Sequence, residues 1–361
     1  MIQVALLSKW HVHAEGYGQQ FAKIPGVRIT VVWDEDPVRG KEWADSIGCD
    51  FEPDLETAVN RKDVNAVSVG TPTSMHRKVI CAAAKAGKAI FTEKVLAITN
   101  EDAEAIAKAV DEAKVPFLIS FRRRTDAPIL EAKHLVESGA IGRVTHLRVR
   151  DAHDGISAGW LPDSFFDKKQ CGGGAMMDLG AHPMYLCLYF LGEPQSVSSV
   201  FTESGGKGVD DNCVSLLRYA DGAVAVSETG FLSRHCPFSL EINGTNGSIC
   251  VGGSLKDGVL LRNDDGETFI PAEEITRTSL APVPLFIHCL QTGEPSPFGT
   301  KDAVALTRLM TAAYRSAAEG KEIAYYVGLS NILNSELNRR KPVEGPHGQV
   351  VGTAVVKGKL L

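Results

Sequence analysis

Two segments decide the fold: Ile2-Gln3-Val4-Ala5-Leu6-Leu7-Ser8-Lys9-Trp10-His11-Val12-His13, and Val27-Arg28-Ile29-Thr30-Val31-Val32-Trp33-Asp34. Ile2–Leu7 is a short continuous apolar run, as expected of a strand buried on both faces. Residues 12–22 have a helical pattern, and the β-branched run Val27–Trp33 predicts a second strand. Pro37 then suits the first turn of a helix over 38–47, with Asp36 as its cap. Working outward, further strands are expected at Ala66–Val69, Ala89–Thr92 and 116–120. Between them lie helices over 75–86, capped by Ser74 and closed by Gly87, and over Asn100–Ala113, capped by Asn100. Strands alternating with helices of this length imply βαβ units and a parallel sheet, which binds ligands beyond the carboxyl ends of its strands.

The pattern changes near Thr125. A helix is expected over Ala127–Glu137, and strands at 144–153, 197–203, 212–219, 223–231, 238–243 and 248–251. Asp221-Gly222, Asn243-Gly244 and Asn246-Gly247 are turn signals between several of them. Helices are expected over 178–191 and 301–319. This predicts an α+β domain with a mainly antiparallel open sheet. The expected division is 1–123, 124–327 and a C-terminal tail over 328–361.

The length of 361 residues suits two domains, and the net charge of −6 argues against a nucleic-acid footprint or a polybasic membrane anchor. The eight cysteines never form C-x-x-C, and the N-terminus has no basic, apolar leader. The reading is a cytoplasmic protein with free thiols. Glycine is frequent at 35 residues, yet the turn after the first strand has none before Gly16, so the usual G-x-G-x-x-G nucleotide fingerprint is missing. Side chains and amides of Ser8, Trp10 and His11 are expected to replace it. Asp34, at the end of the second strand, is placed to accept the ribose hydroxyls of an adenosine, with Arg39 close enough to bear on NAD against NADP.

Other candidate residues also fall at predicted ligand edges. Glu93-Lys94 follows a strand, and a lysine there can polarise or protonate a reacting oxygen. Cys171-Gly172-Gly173-Gly174 leads into Asp178 and His182, which share a face if the segment is helical. That pair could serve a base and its partner; with His153 it could also hold a metal, but no third ligand has a recognisable spacing, and no metal is expected. Arg122, first of three arginines, can reach a substrate or a cofactor phosphate. His153 and Trp160 can wall a sugar pocket.

The order of Asp34, Thr71-Pro72 with His76, Glu93-Lys94, Gly139-Ala140-Ile141-Gly142, and Gly173-Gly174 with Asp178 and His182 resembles the glucose–fructose oxidoreductase / inositol dehydrogenase (Gfo/Idh/MocA) family over roughly residues 1–320. The resemblance implies a Rossmann domain that binds NAD, with NADP not excluded, and a substrate domain that also forms homodimers or homotetramers. It places Asp34, Thr71, Pro72, His76, Glu93 and Lys94 at the cofactor, beside the Ser8, Trp10 and His11 expected there from the loop itself. Lys94 and His182 flank the reacting carbon, and Asp178 supports them or binds substrate hydroxyls. Where the family has Glu-Lys-Pro this chain has Glu93-Lys94-Val95, and Arg122 stands near a position where relatives often have Asn. The implied activity is hydride transfer between NAD(P) and a sugar, inositol or related polyol. Redox-neutral sugar chemistry on tightly held NAD, or a non-enzymatic sensor, are the alternatives.

Overall fold

Two sheets follow from two patterns of burial. The computed structural model describes residues 1–325; the expected tail over 328–361 lies outside them. The chain first runs β1 (Ile2–Leu7), α1 (Ala14–Lys23), β2 (Val27–Trp33), α2 (Pro37–Ile47), β3 (Asp50–Phe51), α3 (Leu55–Asn60), β4 (Ala66–Val69), α4 (His76–Lys85), β5 (Ala89–Thr92), α5 (Asn100–Ala113) and β6 (Phe117–Ile119). These six strands form one parallel sheet in the order 3-2-1-4-5-6, the doubly wound dinucleotide topology. Val4–Leu7, Ala66–Val69 and Ala89–Thr92 are buried throughout, because helices cover both faces. Burying each large apolar side chain contributes about 1.5–3 kcal/mol.

The caps differ from expectation in two places. Asp36 caps α2 by accepting from Val38 N and Arg39 N, as its position predicts. Ser74, however, is exposed inside a 3₁₀ turn over Thr73–Met75, and α4 starts after it without a side-chain cap. Thr99 rather than Asn100 caps α5, accepting from Asp102 N at 3.1 Å. The pair β3 and α3 was not expected, since two strand residues carry no periodic signal.

The chain continues with α6 (Ala127–Glu137), β7 (Val144–Ala152), α7 (Lys168–Cys171), α8 (Ala181–Leu191), β8 (Ser196–Thr202), β9 (Asn212–Arg218), β10 (Val224–Gly230), β11 (Ser239–Gly244), β12 (Gly247–Gly252), β13 (Gly258–Asn263), β14 (Gly266–Pro271), α9 (Pro282–Thr292), α10 (Thr300–Glu319) and β15 (Ile323–Ala324). Strands β7 to β15 form a nine-stranded sheet, order 14-13-12-11-7-10-9-8-15, antiparallel except for the parallel β7–β10 pair. Along β7, Leu147, Val149 and Asp151 are buried while Arg148 and Arg150 are half-buried, the period-2 signature of a sheet with one covered face. β13, β14 and α9 were also missed by the sequence reading.

The expected helix over 178–191 begins only at Ala181. Residues 172–180 form a compact turn, clamped from below by Asp210 and Tyr314. Asp210 accepts from Gly174 N and Met176 N, each at 2.8 Å, and from the Tyr314 hydroxyl at 2.9 Å. The Tyr314 oxygen in turn accepts from Met177 N at 3.1 Å. A β-carbon on Gly173 would run into the Tyr314 hydroxyl, so this turn needs glycine there for close approach.

Candidate active site

The site lies at the carboxyl ends of β5 and β6, facing the turn ahead of α8. Its cavity is about 280 Å³, near the low end of the ~300–1,000 Å³ typical of small-molecule sites. Glu93, Lys94, Arg122, Arg123, Asp151, His153, Trp160, Asp178 and His182 line it, together with His13, Tyr17 and Ser120. The Lys94–Val95 peptide is cis although Val95 is not a proline.

Lys94 is buried, with its ammonium 2.6 Å from Asp178 Oδ1 and 2.9 Å from the Asp178 carbonyl oxygen. Burial alone would lower the Lys94 pKa, but Asp178 and Glu93 hold it above its ordinary value. Burial would raise Asp178, and the Lys94 charge and hydrogen bond instead bring it down to about 2. The two therefore form a charged pair at neutral pH.

This corrects the expected pairing. Asp178 and His182 share the cavity, but Asp178 stands in the turn and is engaged with Lys94. The partner of His182 is Tyr185, whose hydroxyl lies 2.8 Å from Nδ1. The Tyr185 oxygen also accepts from Arg123 N at 2.9 Å. Burial, with the charges of Lys94 and Arg123, depresses His182 well below the usual histidine value, so its imidazole is neutral. Tyr185 was not singled out from sequence, although its i+3 spacing from His182 is a usable signal.

Glu93 is the hub of a second cluster. It accepts from His13 Nδ1 at 2.8 Å, from the Tyr17 hydroxyl, and from Lys94 N at 3.0 Å. Burial would raise Glu93, but His11, His13 and Lys94 hold it well below its ordinary value, so it stays ionised. Burial pushes His11 down to about 4, keeping that ring neutral. Burial opposes charging of His13 as well, yet Glu93 raises it. His11, His13 and Glu93 bring ligand atoms within 4.8 Å of one another, the one such group among the described residues. It is not the Asp178–His182–His153 set weighed from sequence.

At the dinucleotide crevice the findings are mixed. Ser8 sits at φ +76°, the glycine-type conformation that the missing fingerprint would supply. The loop amides, however, turn inward. Lys9 N donates to Asp34, Trp10 N to Ser8 Oγ, His11 N to the Gly70 carbonyl and His13 N to His11 Nδ1. The Trp10 and His11 amides are thus bonded within the protein. Trp10 instead stacks on Phe165 at 5.3 Å, and His11 is buried beside the same ring.

Asp34 is also occupied. It accepts from Lys9 N, from Asp36 N and from both Nε (3.0 Å) and a terminal nitrogen (2.5 Å) of Arg39. A ribose reaches this carboxylate only when Arg39 yields. His76 is a tie between loops, its ring nitrogens lying 3.0 Å from the Leu96 carbonyl and 3.3 Å from the Thr71 carbonyl. Burial lowers the His76 pKa, so the neutral ring donates to one of these carbonyls and its other nitrogen carries no hydrogen. Thr71 Oγ1, by contrast, is buried without a protein partner beside Pro72, at the carboxyl end of β4. An added β-carbon on Gly70 would sit 2.7 Å from the Ser8 carbonyl, so the loops on β1 and β4 meet closely here. The topology, the orphaned Thr71 hydroxyl and the acidic end of β2 fit a dinucleotide.

In the second half, His153 stacks on Phe231 at 4.9 Å and against Trp160 at 4.7 Å. Trp160 is 53% exposed and lines the cavity, as a sugar-stacking wall requires.

Comparison with known proteins gives a consistent picture. A model of an oxidoreductase family with an NAD-binding Rossmann fold (GFO/IDH/MocA) matches residues 9–121, and the GFO/IDH/MocA C-terminal domain model matches residues 129–250. The chain is 30% identical over 231 residues to levoglucosan dehydrogenase of Pseudarthrobacter phenanthrenivorans, covering 56% of this chain and 59% of that protein. It is 26% identical to inositol 2-dehydrogenase of Rhizobium meliloti, over 82% of this chain and 91% of that one. Among solved structures, a levoglucosan dehydrogenase complexed with NADH and L-sorbose superposes with a TM-score of 0.79 over 90% of this chain and 99% of that chain, at 23% identity, a likeness of fold.

Proposed function

The chain belongs to the Gfo/Idh/MocA oxidoreductase family, and on that premise we propose that it is an NAD-dependent dehydrogenase of a sugar, inositol or related polyol. The observation that carries this is the meeting of an ammonium (Lys94), its carboxylate (Asp178) and a neutral imidazole (His182) in one cavity at the carboxyl edge of the 3-2-1-4-5-6 sheet. Residues 1–123 serve the cofactor and those after 124 the substrate. Asp34, Thr71, Pro72 and the loop from Ser8 flank the dinucleotide crevice, and Glu93-Lys94 stands at its inner end.

NAD supplies the hydride acceptor. Lys94, held as an ammonium by Asp178, donates a hydrogen bond to the reacting oxygen and stabilises negative charge there. His182 removes the hydroxyl proton at Nε2. For that, its Nδ1 must carry hydrogen and donate to the Tyr185 oxygen, which has a lone pair for it beside the one taken by Arg123 N. Asp178 holds Lys94 rather than the imidazole. His153 and Trp160 wall the sugar ring.

On the exposed face of the second sheet, Val200 pairs in register with Val214, and Leu216 lies two residues further along β9; all three are exposed. A second copy of the chain covering this patch makes a homodimer or homotetramer, which light scattering tests.

The test of the activity is a screen of sugars and inositols with NAD⁺, following nicotinamide absorbance and product mass. Reduction of NAD⁺ matched by an oxidised product, lost in Lys94→Ala, supports the proposal. No response of Trp fluorescence to NAD⁺ or NADH, or full turnover in Lys94→Ala, overturns it.

A further inference from the structure

Three consecutive arginines leave β6, and two of them are spoken for. Arg123 pairs with Asp151 at 3.0 Å and Asp126 at 3.4 Å, and Arg124 with Asp302 at 2.7 Å. Arg122 lines the cavity and is exposed, and its guanidinium has no hydrogen bond or ion pair with any described residue. Its backbone is fixed, the Arg122 carbonyl accepting from Thr125 Oγ1 at 2.7 Å at the start of a 3₁₀ turn.

The other charges on the wall are matched. Asp178 is on Lys94, Asp151 on Arg123, and Glu93 is surrounded by His13, Tyr17 and Lys94 N. No carboxylate of the cavity is left for Arg122. An unmatched guanidinium in a cavity with no spare anion calls for an anion brought by the ligand. Its planar fork of donors matches a carboxylate bidentately. A phosphate-sized anion would be expected to meet several unmatched cations, and of the arginines and lysines described in this lining Arg122 alone has no ion pair.

Resting on the reading of this site as a sugar or polyol dehydrogenase, we propose that the substrate is a sugar acid, an aldonate or uronate whose carboxylate is held by Arg122 while its ring or chain lies against His153 and Trp160. Arg122 thereby selects acids over the matching neutral sugars. A charge-assisted bidentate contact of this kind amounts to roughly 10–100-fold in affinity.

The experiment uses the full chain with NADH and three pairs of equal stereochemistry: D-glucuronate and D-glucose, D-galacturonate and D-galactose, D-gluconate and D-sorbitol. Thermal stabilisation titrations give apparent Kd values without requiring turnover, and kcat/KM with NAD⁺ is read where hydride transfer occurs. The expected result is at least one pair in which the acid binds more than tenfold tighter than its neutral partner. That ratio falls roughly 10–100-fold in Arg122→Asn and is partly kept in Arg122→Lys. Neutral partners binding as well as the acids in every pair, or an unchanged ratio in Arg122→Asn, overturns the proposal. So does a loss that falls on NADH affinity, measured by Trp fluorescence, since Arg122 would then serve the cofactor. Absence of NADH binding by the wild type is instead a failure of the dehydrogenase reading itself.

Discussion

Lys94 Nζ stands 2.6 Å from Asp178 Oδ1 although the two residues are 84 positions apart in the chain. One comes from the end of β5, the other from a glycine-rich turn of the second half, and the same ammonium also takes the Asp178 carbonyl. The pair joins the two halves in the wall of the cavity.

Removing this link changes the titration of the lysine. Asp178→Asn takes away the main group that raises Lys94, so the alkaline limb governed by the ammonium moves to lower pH. Activity falls roughly 10²–10⁴-fold in Lys94→Ala. A pH profile of kcat/KM for wild type and Asp178→Asn checks the direction, and an unshifted alkaline limb counts against Lys94 as the titrating group.

Tyr185→Phe leaves His182 Nδ1 without its partner and Arg123 N without its acceptor. The expected effect is a loss of roughly 10–100-fold in kcat with KM little changed, because tautomer and ring orientation are lost rather than substrate contacts. Steady-state kinetics separates the two parameters.

Arg39 occupies the carboxylate that would meet the adenosine ribose. Arg39→Ala frees Asp34 for the ribose hydroxyls and removes a cation suited to a 2′-phosphate. Preference for NAD⁺ over NADP⁺ is expected to rise by roughly 5–10-fold. Asp34→Ala is expected to lower it, and kcat/KM for both cofactors measures the change.

Stability should depend on pH through His11. Its folded pKa, depressed to about 4 mainly by burial, lies below the ordinary value of 6.5, so the unfolded chain binds the extra proton first. The contribution is full above 6.5 and is lost as pH falls toward 4, up to about 3 kcal/mol. His13 is raised and acts with the opposite sign, favouring the folded state at lower pH and losing that effect as pH rises through its folded value. Thermal melts from pH 7 to pH 4.5 should show a shallower fall of Tm in His11→Gln than in wild type. A steeper fall is expected in His13→Gln.

Much of the architecture was legible because burial imprints local patterns. The runs Ile2–Leu7, Val27–Trp33, Ala66–Val69 and Ala89–Thr92 are strands with the expected bounds, since a strand covered on both faces must be apolar throughout. Lys94, Asp178 and His182 were likewise readable as candidates, being polar residues at predicted strand ends and after a glycine run. Their pairing was not readable. A helix over 178–191 would have set Asp178 on His182. The Asp210–Tyr314 clamp instead folds residues 172–180 into a turn and delivers Asp178 to Lys94. The occupancy of Asp34 by Arg39 and the inward amides of the Ser8 loop also lay beyond the sequence. Periodicity records which face a residue buries, a short-range property. Hydrogen-bond partners far apart in the chain are chosen only when the packed elements bring them within about 3 Å and exclude the water that would otherwise serve.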